Sequence, residues 1–591
     1  MNTPRIIAAA LLAFLLGSTG SLTQAYAQTH EGEIVAEIGF DPKVNGFGFR
    51  NFGKNPDYDG DLTADDMIRM FGADNVCIEG TTANDCVLYE TTDRWIDEAL
   101  KKMDGGHCDG FSVSSLRMFV GKPFKGRKNP AAFQRGAVNL FDLEKNQVTS
   151  NYVSYYQTLT FLKETYIFRT PTFKKKPSEI LEMIEESMNT KKELYTLEVW
   201  MREAGKMTRG HSILPIAIED MGGDIYRIHV YDNNYPGQTK YVTVNTKAET
   251  WRYHTANNPA ETARDYVGTG SSQTLGLKRL SDRSRARYEC PFCDKDEAGA
   301  NDSRDAINEM KSPFAFMNAS YALNPATKTK NPAAEAESLT ISSSGDVDLL
   351  ITDGSGKSIG YDFAKKVTVN NIPGASENLI PGDGEEDTPP EYNLPIDPAN
   401  KKPYKINIGG TDSEELADVQ IYGPGIVVGF SDVSVDKGES LNMTVSPNGR
   451  ELTFTASADG ETPTIYLSTD SGPDKPSYEF EIGGITLAGG KTVTVRLDLE
   501  KGLLYFKDDD GDTDKYDVKI SRTNPNGKVD VFDEYDMDVG KDNDYVLNFG
   551  AWDGKGTICV KDDSNEGNFD KDECHNIENE KSAKPPVKKP S

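Results

Sequence analysis

The feature that most constrains this chain is a change of period along it. Up to about Met310 helical and strand spacings are mixed, whereas from about Ser338 onward the helical spacing disappears and short alternating stretches recur. Val347 to Thr352, Lys366 to Asn370, Leu452 to Ala456 and Thr492 to Leu497 belong to this set, with turn residues between them. A period of two turns one face of each stretch toward a core and the other toward water, which is the pattern of antiparallel sheets. With 591 residues the chain exceeds what one hydrophobic core can organise. The expected fold class is therefore an α+β domain followed by all-β modules of immunoglobulin-like sandwich type. The expected layout is a leader over 1–27, the α+β domain over 28–310, a sandwich over 311–476, a second over 477–580 and a solvated tail over 581–591. Ile372 to Pro403, rich in Pro, Gly and acid, reads as a linker or as a long loop within one module.

Within the mixed half, Pro177-Ser178-Glu179 opens a segment with Ile180, Leu181, Ile184 and Met188 on one stripe, which predicts an amphipathic helix. Leu194 to Trp200, His211 to Glu219 and Ile225 to Asp232 read as strands. At the start, Arg5, the apolar run Ile6 to Leu16 and Ala25-Tyr26-Ala27 have the layout of a cleavable secretory signal. That run is about half the roughly 20 residues a spanning helix needs, so the expectation is secretion, extracellular or periplasmic, with no membrane span. Acidic residues outnumber basic ones 94 to 65, for a net charge of -29. Such a field repels phosphate backbones and excludes nucleic acid as the expected partner.

Outside the cytoplasm cysteines pair, and seven cysteines leave one over. Proximity suggests Cys77 with Cys86, Cys290 with Cys293 and Cys559 with Cys574, although spacing alone does not fix connectivity. Cys290-Pro291-Phe292-Cys293 could also be a redox dithiol or half of a zinc site, but polar segments flank it and no second ligand pair lies near. A structural disulfide is the reading taken. Cys108 remains.

Cys108 follows Gly105-Gly106-His107 and precedes Phe111, Val113, Leu116, Met118 and Phe119. If that apolar set is a helix, the thiol sits in its first turn, where unpaired N–H groups and the helix dipole favour thiolate. A buried packing residue is the plainer reading of a cysteine. The setting between a Gly-Gly turn, His107 and Asp109 favours a nucleophile instead. The base is assigned to His211, which follows Gly210 at the head of an apolar strand, while adjacent His107 is taken as structural or as a rim residue. The next strand ends at Tyr231-Asp232-Asn233-Asn234. With a turn centred between Met221 and Gly222, Asp232 faces His211 directly. With Gly222-Gly223 as a two-residue turn, it lies on the same face one diagonal step away. An odd-length loop would turn Asn233 toward the histidine instead. Gly-Gly favours the two-residue turn and hence a triad of Cys108, His211 and Asp232.

Gly106-His107-Cys108-Asp109-Gly110-Phe111-Ser112 resembles the cysteine-helix start of papain-like cysteine peptidases, and Gly210-His211 with Tyr231-Asp232-Asn233-Asn234-Tyr235-Pro236 resembles the histidine and aspartate strands of their bacterial, bacteriocin-processing-type branch. The chain is also similar to a group of secreted bacterial proteins with such a domain, on Met70-Phe71-Gly72, Val76-Cys77, Val347 to Asp353, Ile359 to Asp362 and Asn371 to Ala375. The resemblance implies a papain-like domain that hydrolyses peptide or isopeptide bonds through an acyl-enzyme, with protein or peptide as substrate. Those peptidases place a glutamine six residues before the cysteine as an oxyanion donor, and here that position is Lys102.

Two other classes fit the same residues: a transglutaminase-like acyltransferase, in which an amine resolves the thioester, and a catalytically inactive adhesin whose β modules bind a surface or extracellular ligand. No cofactor is required. Asp508, Asp510, Asp512 and Asp514, in an acidic run between strands, are candidate ligands for a structural calcium, and Asp57 to Asp61 form a weaker run of the same kind; neither has the EF-hand spacing.

Overall fold

The computed structural model describes residues 31–53, 62–256, 262–294, 337–345, 347–382, 388–396, 402–411, 416–509, 515–538, 544–562 and 575–578. The leader and Asp57 to Asp61 lie outside these residues, as do Asp510, Asp512 and Asp514. Among the described residues no helix is long and apolar enough to cross a membrane, and no group of three or more His, Cys, Asp or Glu could hold a metal.

The N-terminal region combines helices with an eight-stranded antiparallel sheet. Its strands run in the order Leu275–Arg279, Tyr195–Glu203, Lys206–Gly222, Ile225–Tyr231, Thr239–Asn245, Thr250–Thr255 and Arg264–Thr269, and Glu33–Glu37 pairs with the long Lys206–Gly222 strand. The helix expected at Pro177 spans Pro177–Thr190 and buries Ile180, Leu181, Ile184 and Met188. Each such side chain removed from water contributes roughly 1.5–3 kcal/mol before its ordering cost. The helices Glu90–Met103, Cys108–Phe119, Gln147–Thr158 and Lys163–Thr172 are the other long helices of the region. Cys77–Cys86 and Cys290–Cys293 are disulfide-bonded. Cys559 is disulfide-bonded as well, and its expected partner Cys574 lies outside the described residues.

From Ser338 onward the regular elements among the described residues are all strands, in a nine-stranded and an eleven-stranded antiparallel sheet. One apolar cluster runs from Leu339 to Val560 through both. The expected module boundary at 476/477 falls between Thr464–Asp470 and Ser477–Gly483, which pair in one sheet with Asp470 opposite Ser477. Within the Ile372 to Pro403 stretch, Ser376–Asn378 lies antiparallel to Glu391–Pro395 at the end of the nine-stranded sheet, and residues 383–387 and 397–401 lie outside the described residues. Glu90–Met103 packs on this sheet through polar contacts. Glu98 accepts from Ser342 and Gln420, Asp470 from Thr91, and the Arg94 guanidinium lies over the Tyr466 ring.

Candidate active site

Cys108 is the first residue of its helix, and Gly106, at φ +127°, makes the turn that delivers it, a conformation L side chains rarely adopt. The helix then passes so close to Gln147–Thr158 that a Cβ on Gly110 would lie 2.3 Å from the Val153 carbonyl oxygen. That approach lets Gln157 reach the helix start, where its Oε1 accepts the Gly110 N–H at 2.9 Å. Cys108 is buried and belongs to no disulfide. His107 is structural: Nδ1 meets the Phe52 carbonyl oxygen at 2.7 Å and Nε2 meets Ser154 Oγ at 3.1 Å. Burial pushes its pKa down to about 4.

The histidine strand is held against this helix start. Ser112 Oγ donates to the Ser212 carbonyl oxygen at 3.1 Å, and Asn233 Nδ2 donates to the carbonyl oxygens of Cys108 and Ser212 at 2.9 and 3.0 Å. Asn233 therefore staples the Cys108 backbone to the residue after His211. The alternative in which it orients the imidazole is replaced by this role. His211 Nε2 meets Asp232 Oδ1 at 3.0 Å, both groups being fully buried. Asp232 also accepts from Tyr253 Oη at 2.5 Å, Thr255 Oγ1 at 3.1 Å and the Asn234 N–H at 2.9 Å. Burial opposes its charge, but His211 and these donors together hold the carboxyl below the usual range.

The hairpin between His211 and Asp232 departs from the expected one. Gly222 pairs with Ile225, so the two-residue turn is Gly223-Asp224, both at positive φ, rather than Gly222-Gly223. Two register shifts follow, between Asp220 and Gly222 and between Pro215 and Ala217, after which Leu214 lies opposite Tyr231. Each bulge moves the pairing by one, and the two together restore the face on which Asp232 meets the histidine.

Beneath the helix start lies a buried ionic network. Asp109 accepts from Arg283 Nη2 at 2.7 Å, Ser212 Oγ at 2.7 Å and Thr196 Oγ1 at 3.2 Å, with Lys278 Nζ at 3.7 Å. Burial works against the Asp109 carboxylate, and Arg283 and Lys278 outweigh it, holding its pKa low. Lys278 pairs onward with Glu198, which also meets Arg169 at 3.5 Å.

Above the thiol sits a carbonyl of the chain itself. Cys108 Sγ lies 3.7 Å from the Pro381 carbonyl oxygen, and Gln157 Nε2 donates to that same oxygen at 3.4 Å. Lys102, at the position where a glutamine was expected, is instead buried in an ion pair with Glu391 at 2.7 Å. Gln157 went unnoticed in the sequence because it comes from a helix some fifty residues downstream. Its one local signal is that it is an uncharged polar residue in a helix buried on nearly every side. Asp508, the one member of the expected calcium set inside the described residues, is buried and accepts from Tyr516 Oη at 2.5 Å.

No known protein family matches this chain, and no curated protein or solved structure matches it either.

Proposed function

We propose that this protein is a cysteine peptidase of papain-like type, working outside the cytoplasm on peptide or isopeptide bonds. The observation that carries this reading is a single carbonyl oxygen contacted by both the Cys108 thiol and the Gln157 amide, at a helix start to which Asn233 and Ser212, neighbours of the buried His211–Asp232 pair, are hydrogen-bonded. A thiol at a helix start, a base with its orienting carboxylate and an amide aimed at a carbonyl oxygen are the parts acyl transfer needs. Two disulfides and a third bonded cysteine support an oxidising compartment.

In this mechanism His211 takes the Cys108 proton and Asp232 stabilises the resulting imidazolium. The thiolate attacks the carbonyl carbon, and the electron pair moves onto the oxygen, where Gln157 Nε2–H donates to it. Collapse breaks the carbon–nitrogen bond as His211 protonates the departing amine. Water, deprotonated by His211, then attacks the thioester, releasing the acid and restoring the thiol. Because the Pro381 carbonyl lies against the thiol, the test is casein hydrolysis by the chain in which a short Gly/Asn turn replaces residues 379–390, compared with the same chain carrying Cys108→Ala. Cleavage lost in the variant is expected, and equal cleavage by both would overturn the assignment. Incorporation of a fluorescent amine into casein in place of cleavage would turn the reading toward an acyltransferase.

A further inference from the structure

The groove over Cys108 is occupied by the chain's own β region, through the loop that follows Ser376–Asn378. Asn378, Ile380 and Pro381 are buried, and Ile380, although it belongs to the C-terminal half of the sequence, packs in the apolar cluster of the N-terminal region. The loop backbone is held by polar groups of that region. Arg169 Nη1 donates to the Leu379 carbonyl oxygen at 2.5 Å, and its Nη2 donates to Asn378 Oδ1 at 3.1 Å. Asn378 Nδ2 donates to the Thr160 carbonyl oxygen at 3.1 Å. The next carbonyl but one, that of Pro381, is the one between Cys108 Sγ and Gln157 Nε2. Beyond it Gly382 lies against Gly105, whose carbonyl oxygen would be 3.3 Å from a Cβ placed there.

We propose that this groove is a binding site for an extended peptide, that its resident occupant is the chain's own Asn378–Gly382 segment, and that the enzyme is latent until the segment is displaced. This rests on the peptidase reading for what is inhibited, but occupancy of the groove stands on the contacts alone. Both ends of the loop are anchored: Asn378 pairs with Glu391 across adjacent strands, and Glu391 forms the buried ion pair with Lys102. A loop fixed at both ends loses little further freedom on entering the groove, so its effective concentration there is far above that of a free peptide. Arg169 joins the device to the nucleophile, since the Asp109–Lys278–Glu198 network that underlies the cysteine helix ends on the guanidinium that grips Leu379. The chemistry of the occupant also describes the ligand class: a main-chain carbonyl for Arg169, a buried branched aliphatic side chain, and a proline whose carbonyl meets the thiol.

The experiment is the rate at which iodoacetamide labels Cys108 in the full-length protein and in two variants, with Cys108→Ala as the control for labelling elsewhere. In one variant a four-residue Gly/Asn turn replaces residues 379–390, closing the pair Asn378 and Glu391. In the other, Ile380→Asp makes burial of the loop unfavourable while keeping its length. Each variant is used only if its melting curve retains the wild-type transitions. Labelling at least 10-fold faster than wild type in either is expected, and wild-type rates in both overturn the proposal. Casein cleavage by the same samples separates the two claims. Fast labelling without cleavage upholds occupancy and removes the peptidase reading, whereas equal cleavage by wild type and variants overturns latency.

Discussion

His211 and Asp232 meet at 3.0 Å although they are not opposite one another in the sheet: the strand residue before Asp232, Tyr231, pairs with Leu214, three positions beyond the histidine. The contact is diagonal, and Asp232 reaches it while held by Tyr253, Thr255 and the Asn234 N–H. An ionised carboxylate only accepts, so Nε2 carries the proton and Nδ1 is left as the basic nitrogen. Replacing Asp232 by Asn removes this selection of tautomer without changing size. In the variant with residues 379–390 replaced, Asp232→Asn is expected to lower kcat for peptide cleavage by about 10²–10⁴-fold with little change in KM. A wild-type kcat would show that the pair is structural.

Gln157 is expected to act on the oxyanion. Its Oε1 is fixed by the Gly110 N–H, which aims Nε2 at the Pro381 carbonyl oxygen. Gln157→Glu keeps the acceptor and loses the donor, and should lower kcat by about 10²–10³-fold, the usual cost of one oxyanion donor. Iodoacetamide labelling of Cys108, which develops no oxyanion, should change far less. A parallel fall in labelling and turnover would mean that Gln157 only shapes the helix start.

How much of this was legible in the sequence depends on how far each contact reaches. The helix at Pro177 was legible because its apolar stripe and its start signal are both local. The shared face of His211 and Asp232 was also reachable, because a Gly-Gly turn constrains parity, but the route was not: the turn moved by one residue and two bulges compensated for it. A bulge depends on what packs against the strand, and spacing carries no record of that. The groove occupant was hidden for the opposite reason. Ile372 to Pro403 has the composition of a linker, and Leu379 to Pro381 acquire their place only through Arg169 and Gln157, some two hundred residues upstream.

The ionic network under the cysteine helix makes Asp109 costly to lose. Arg283 and Lys278 are fully buried around it, so Asp109→Ala leaves two cations facing one fewer carboxylate. Breaking a buried pair in this way costs about 3–5 kcal/mol, several times the effect of a surface bridge. The expected outcome is a large fall in the melting temperature of the N-terminal region. Substituting Arg279, which pairs with Asp282 in a more exposed setting, should move it little. Equal shifts in the two variants would contradict the buried network.

The junction between the two regions should respond to pH in a defined direction. Burial pushes Glu90 up to about 7, against a hydrogen bond from Thr523, and pushes Asp470 up to about 7, against hydrogen bonds from Thr91 and Ser477. Burial likewise raises Glu377 to about 7. A carboxyl whose folded pKa is raised binds its proton more tightly folded than unfolded. Its contribution is fully present below the unfolded value near 4 and is lost as pH rises through the folded one. His107 acts the other way, since its folded pKa of about 4 lies below the unfolded value near 6.5, so stability from that group grows as pH rises between the two. Three carboxyls outweigh one imidazole, and the melting temperature is expected to fall from pH 5 to pH 7.5, with the decline continuing above pH 6.5, where the His107 contribution is complete and no longer offsets it. Asp470→Asn, which cannot ionise, should flatten part of that decline. A melting temperature that rises across the interval, or an unchanged slope in Asp470→Asn, would show that these carboxyls are solvated and the junction is open.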